Sequence, residues 1–136
     1  MYRRILVALK DITTQDAVIQ HAVGLAQATK AVLILVHVTH THALDASAYQ
    51  EQGARVQLER RAAEAHQLGI QTEVMVVEGE PWEEICLLAE NGSFDLLVMG
   101  KHAHSEVRDL VAGSVTEQLI RHCRMPILLV ESKHHG

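Results

Sequence analysis

Gly100, Lys101, His102, Ala103 and His104 follow directly on an apolar run, and Gly113, Ser114, Val115 and Thr116 open a stretch of helical period. A glycine at a strand end lets the chain turn sharply. At a helix start the first N–H groups have no intrahelical partner, and the helix dipole adds positive potential. Such an end attracts phosphate, with the Ser114 and Thr116 hydroxyls as neutral donors and Lys101 and Arg108 as charges. A loop with a glycine at each end and a Gly-Ser helix start also occurs as a plain connection in α/β proteins. On its own, therefore, the segment leaves anion binding and simple linkage both open. Asp109, beside Arg108, is either half of a loop ion pair or a neighbour for magnesium.

Histidine is the second chemical resource, with ten in the chain. Each has an unperturbed pKa of about 6.5, so mild acid changes the net charge. His40 and His42, and again His102 and His104, stand two residues apart. In an extended segment that spacing puts both side chains on one face. Neutral imidazole binds zinc, copper or nickel, which makes these four the candidate metal residues, with solvated loop histidines as the alternative. Other catalytic patterns are missing: no Walker-type phosphate loop, no Gly-x-Gly-x-x-Gly, no Gly-x-Ser-x-Gly and no Cys-x-x-Cys. Ser114 has no specific base placed beside it, so it reads as a phosphate donor or helix cap. Glu80, Glu83 and Glu84 are explained by a negative first helical turn. Cys86 and Cys123 fall in runs of helical apolar spacing and read as small buried hydrophobes, not as a disulfide framework. The alternative for Cys123 is a redox thiol whose pKa Arg121 and Arg124 would lower. No catalytic residue stands out.

The elements that must position these groups alternate regularly. Residues 5–9, 31–38, 71–78, 94–99 and 126–131 are short, mostly aliphatic runs, as expected of strands covered on both faces. Between them lie four helical patterns. The first spans about 14–29, with Thr13 or Thr14 as N-cap; the second carries Ala54, Leu58, Ala62 and Ala65 and stops at a left-handed Gly69. The third has Pro81 in its first turn, then Trp82, Ile85, Cys86 and Ala89 on one face. The fourth runs from Gly113 past Cys123, with Arg121, His122 and Arg124 at its carboxyl end. A helix between every pair of strands requires parallel pairing. Right-handed crossovers then give an α/β fold: a three-layer, doubly wound, five-stranded parallel sheet with helices on both faces, which binds ligands beyond the carboxyl ends of its strands. Irregular stretches at about 39–49 and 100–112 both lie at that edge.

Composition narrows the partners. The chain has 136 residues, 48% hydrophobic and 21% charged, with 12 basic and 17 acidic residues and a net charge of −5. That suits one soluble domain, expected over 1–132 with a disordered tail at 133–136. No basic block favours nucleic acid or an anionic membrane, and four aromatics are too few for a stacking platform. No run approaches the roughly 20 apolar residues of a bilayer span, and no signal peptide pattern opens the chain, so the expected location is cytoplasmic.

Across nearly its whole length the sequence resembles the universal stress proteins. The resemblance rests on Ile-Leu-Val-Ala-Leu at 5–9, Ala-Val-Gly-Leu-Ala at 22–26, Leu-Val-His-Val at 35–38 and Gly-Glu-Pro at 79–81. It continues with Asp-Leu-Leu-Val-Met-Gly at 95–100, Gly-Ser-Val-Thr at 113–116 and Pro-Ile-Leu-Leu-Val at 126–130. It implies strand order 3-2-1-4-5, a homodimer formed through the last strand and, in the nucleotide-binding branch, ATP held between the ends of strands one and four. The family pattern there is glycine, two residues, glycine, nine residues, glycine, then serine or threonine. Gly100, Gly113 and Ser114 match; Ala103 stands at the second glycine. If that position needs a positive φ, alanine costs roughly 1–2 kcal/mol, or about tenfold in affinity. The family's acidic residue after strand one falls on Lys10, with Asp11 next. Either Asp11 takes over, or a cation faces the pocket and favours phosphate over the ribose hydroxyls.

The pocket so implied takes in Ala8, Lys10 and Asp11 after strand one and Val38, through its backbone, after strand two. From the second half it takes in Met99, Gly100, Lys101, Ala103, Arg108, Gly113, Ser114, Val115 and Thr116. The implied order also brings the histidines after strands two and four to one sheet edge. The expected function is an ATP-binding homodimer, with or without magnesium, acting in stress response through nucleotide-dependent interaction with a protein partner. Any hydrolysis is slow, because no residue is poised to activate water. The alternatives are an interaction module whose nucleotide site has decayed, and a metal or pH sensor built on the loop histidines.

Overall fold

The computed structural model describes residues 2–10, 12, 15–39, 46–102 and 113–132; the side chains of 46–51, 102, 113, 114 and 132 are outside that description. The elements alternate as β1 (Arg4–Ala8), α1 (Asp16–Thr29), β2 (Val32–Thr39), α2 (Ala46–Gln67), β3 (Thr72–Glu78), α3 (Pro81–Asn91), β4 (Leu96–His102), α4 (Gly113–His122) and β5 (Ile127–Ser132). The five strands form one sheet in the order β3-β2-β1-β4-β5, and every pair is parallel. Both expectations, the doubly wound three-layer architecture and the order 3-2-1-4-5, hold.

The layers follow from strand alternation. Along β1, Ile5 and Val7 face one core with Val18, Ala22 and Ala26 of α1 and Ala54, Leu58 and Ala65 of α2. Leu6 and Ala8 face the other, with Ile85 and Cys86 of α3, Leu119 of α4 and Cys123 just beyond it. Chain direction across the sheet reverses after β3, so right-handed crossovers place α1 and α2 on one face and α3 and α4 on the opposite one.

Several boundaries differ from the sequence reading. α1 starts at Asp16 with Gln15 at the cap position, not at Thr13 or Thr14, and no side chain caps it. The Gln15 amide is engaged elsewhere, with the Lys10 N–H. α2 begins at Ala46, which shortens the irregular stretch assigned to 39–49. β2 reaches Thr39 and β4 reaches His102 because their neighbours extend alongside: Thr39 pairs with Glu78, and Gly100, Lys101 and His102 pair with Val130, Glu131 and Ser132. Gly69 does end α2 in a left-handed conformation, with φ +83°. The expected 133–136 tail lies outside the described residues.

The amino edge of the sheet is pinned by Asp95. Its Oδ2 accepts the Arg3 and Arg4 N–H groups, its own N–H donates to the Arg4 carbonyl, and Arg4 Nε donates to the Gly92 carbonyl at 3.2 Å. The Arg4 guanidinium also lies 4.8 Å from the centre of the Phe94 ring. Hydrogen bonds from the Arg3 and Arg4 backbone hold the Asp95 carboxyl below its ordinary value of 3.8. A carboxyl lowered in the folded state stabilises above its unfolded pKa, and that stabilisation is lost as pH falls through the lower folded value. Asp95→Asn should therefore unfold at lower urea at neutral pH, by about 1 kcal/mol for a half-exposed site, with the gap closing as acid protonates the native carboxyl. Paired urea titrations at neutral pH and below 3.8 check this.

Candidate functional site

β1 and β4 end side by side at the carboxyl edge, where the order of strands diverges. Ala8 pairs in register with Met99 on one side and Val36 on the other. Alternation turns Ala8 and Met99 toward the α3 and α4 layer, where Val38 and Val115 pack against the same cluster. Four of the residues assigned to the pocket thus share one face. Ala8 and Met99 are buried, and so is Thr116 in the early part of α4; Lys10, beyond the end of β1, is exposed. Lys101 is half-buried and has Glu131 as its register partner, which brings a carboxylate to the same end of the sheet. The chain starts α4 at Gly113, so Ser114 lies in its first turn.

Gly100 departs from expectation. It does not turn the chain: it continues β4 in register with Val130, and its φ is not among the positive ones. Glycine is required there by a close approach. A Cβ would lie 2.5 Å from Gln15 Nε2 and 3.1 Å from Val18 Cγ2, so the hydrogen lets the start of α1 rest on β4. Gln15 is itself buried, and its Oε1 accepts the Lys10 N–H at 2.9 Å.

The backbone just past β1 is fixed from both neighbours. The Leu9 N–H donates to the Val36 carbonyl at 2.9 Å, and the Leu9 carbonyl lies 2.8 Å from His37 Nδ1. A carbonyl only accepts, so His37 carries its proton on Nδ1 and keeps Nε2 for another partner. On the far side, the Thr39 carbonyl accepts the Gly79 N–H at 2.9 Å. Gln15 was missed in the sequence. A glutamine beside a helix start carries no spacing signal, and its partner glycine is 85 positions away, so only the folded pairing of α1 with β4 shows its role.

Asp11, Ala103, Arg108, Asp109, His40, His42 and His104 lie outside the described residues, as does the side chain of His102. Among the described residues no group of three or more His, Cys, Asp or Glu side chains is placed to hold a metal ion. The reading of Cys123 as a thiol activated by Arg121 and Arg124 is corrected: burial pushes it up, to about 12.

Gly100→Ala should lower stability by about 1–2 kcal/mol, because the added methyl drives the Gln15 amide off the Lys10 N–H. Gln15→Ala removes the obstacle as well as the acceptor. The double variant should then lose less than the sum of the singles, a coupling that a denaturant double-mutant cycle measures.

The model of the universal stress protein family matches residues 1–131. Universal stress protein MJ0577 of Methanocaldococcus jannaschii is 32% identical over 81 residues, which is 60% of this chain and 50% of that protein, so the match spans half the relative's length. Universal stress protein YxiE of Bacillus subtilis is 26% identical, with 96% of this chain and 99% of YxiE covered. Among solved structures, MJ0577 superposes with a TM-score of 0.77 at 26% identity over 99% of both chains. A universal stress protein in complex with cAMP gives 0.76 at 23% identity over 97% and 98% of the two chains. One from Archaeoglobus fulgidus in complex with dAMP gives 0.72 at 20% over 94% and 97%. Those last two identities speak to the fold alone. With its sheet order, its connections and the family pattern running from residue 1 to 131, the chain belongs to the universal stress protein family.

Proposed function

We propose that the chain binds an adenine nucleotide at the carboxyl edge of β1 and β4, and that occupancy biases its interaction with a protein partner. The observation that carries this reading is the convergence of Ala8, Val38, Met99 and Val115 on one face at that edge, with α4 packed on the same side. An apolar floor of this kind suits a purine, and backbone amides at the start of α4 suit its phosphates. Relatives of the same fold in complex with cAMP and with dAMP supply the ligand class.

ATP, with magnesium at its phosphates, is the specific ligand we assign. Lys101 and Ser114 then act at the phosphate end, and Lys10, exposed beyond β1, adds a cation at the pocket mouth. No hydrolysis is needed for the role, since occupancy alone can shift a population. β5 ends the sheet, with Ile127, Leu128 and Leu129 half-buried and one strand edge unpaired among the described residues. Such an edge favours pairing with a second copy, giving the homodimer.

Lys10 at the family's acidic position and Ala103 at its second glycine favour a second reading, a dimeric interaction module whose nucleotide site has decayed. Titration calorimetry with ATP, AMP and cAMP, each with and without magnesium, separates the two. Binding by wild type, tightened up to about tenfold in Ala103→Gly, supports the nucleotide reading. Wild type and Ala103→Gly both failing to bind at millimolar nucleotide supports the decayed site.

A further inference from the structure

On the α3 and α4 face, away from the carboxyl edge, the only two cysteines of the chain meet. Cys86 is on α3 and Cys123 directly follows α4; both are in the same apolar cluster, and both are free. Burial and the neighbouring Cys86 together raise the Cys123 thiol, and the Cys86 Sγ–H donates to Glu90 Oε2 at 3.7 Å, one helical turn on. The two thiols therefore share one apolar cluster, and a carboxylate accepts from one of them. Cys86 also lines a shallow groove of about 290 Å³ with Trp82, Glu83, Leu87 and Glu90, while Cys123 is not among the lining residues. A small solute in the groove meets Cys86 and not Cys123.

We propose that Cys86 and Cys123 form a reversible intramolecular disulfide in response to a hydroperoxide, with Cys86 as the attacking thiol, Cys123 as the resolving thiol and Glu90 taking the Cys86 proton. The sulfur of Cys86 attacks one peroxide oxygen. The O–O bond breaks, the leaving oxygen departs as water once it has received the Cys86 proton by way of Glu90, and Cys86 becomes a sulfenic acid. Cys123 sulfur then attacks the Cys86 sulfur. The S–O bond breaks, and the sulfenic oxygen leaves as water with the Cys123 proton. Two thiols have lost two electrons and two protons, and one hydroperoxide has become two waters, or one water and an alcohol where the peroxide is organic. A dithiol such as dithiothreitol reverses the bond by exchange.

The division of labour follows from position. Burial holds the Cys123 thiol in its protonated form, which keeps it from competing for the oxidant and leaves its proton for the departing oxygen. Trp82, stacked on His122 with ring centres 4.9 Å apart, bridges α3 and the end of α4 beside the pair. It is the only tryptophan of the chain, so its fluorescence reports this junction alone. The inference is independent of the nucleotide reading, because neither thiol belongs to that site.

The test treats the full chain with hydrogen peroxide and follows free thiols, intact mass and Trp82 emission. Wild type should lose both thiols together and the mass of two hydrogens per chain, without a crosslinked dimer on a non-reducing gel, and dithiothreitol should restore it. Cys123→Ser should stop at a sulfenic acid on Cys86 that dimedone traps. In Cys86→Ser, Cys123 should react at least about tenfold more slowly than Cys86 does in wild type. Glu90→Gln should slow the first step while leaving both thiols present and the fold unchanged by circular dichroism. Two thiols surviving in wild type, a disulfide formed only between chains, or Cys123 reacting equally fast without Cys86 would each overturn the proposal.

Discussion

β1 is hydrogen-bonded along both edges and covered on both faces, and the other elements take their places from that condition. A parallel partner cannot be reached by a hairpin, so each neighbour of β1 must arrive through a crossover helix. With β2 on one side and β4 on the other, the helices leading to them fall on opposite faces. Four consecutive residues of β1, Ile5 to Ala8, with Leu9 after them, are therefore apolar, and their alternation assigns Ile5 and Val7 to one core and Leu6 and Ala8 to the other. The same condition makes the carboxyl ends of β1 and β4 the switch point of the sheet, with α1 on one layer and α4 on the other.

At that switch point the molecule anchors its backbone. The segment leaving β1 is held at Leu9 by β2 and at Lys10 by Gln15, which itself occupies the space that a side chain at Gly100 would take. One buried amide thus ties the exit of β1 to the strand beside it. The opposite end of the sheet has its own tie in Asp95, whose carboxylate gathers the N–H groups of Arg3 and Arg4 before β1 begins. Between these two polar clamps the strand interior is apolar. Register is fixed at the ends by directional bonds and in the middle by packing, so a slip of one residue would cost both.

The sequence carried the fold because its signals are local and repeated. Aliphatic runs, helical periods, Pro81 at a helix start and Gly69 at a helix end each state their element without reference to anything distant. The strand order was legible only through family resemblance, since no local pattern says which strands adjoin. The site was legible where its residues belong to the sheet. Ala8, Val38 and Met99 lie on β1, β2 and β4 and share one face, as strand alternation predicts. It was not legible where contact between distant residues decides a residue's purpose. Gly100 looked like a turn and is a cleared space for Gln15; Thr13 and Thr14 looked like caps, while the chain starts its helix after a glutamine occupied elsewhere. Cys86 and Cys123 each read correctly as buried, yet nothing in either neighbourhood announces the other.

A nucleotide site of the proposed kind, in which backbone amides meet the phosphates, is hard to read in side chains and easy to keep. Amides at a helix start and carbonyls at strand ends are supplied by every residue type except proline, so what the ligand demands is the path of the backbone. Chains as different as this one and its 20–26% identical structural neighbours hold one architecture, with TM-scores of 0.72–0.77. In this chain the variation falls at Lys10 and Ala103. A cation at the first alters charge at the pocket mouth without touching the backbone frame, whereas a Cβ at the second acts on the frame itself wherever the phosphate loop requires a left-handed residue. In the nucleotide reading proposed above, the two changes bear on different halves of the ligand: Lys10 on the sugar and phosphate pattern preferred, Ala103 on the convergence of amides on a phosphate.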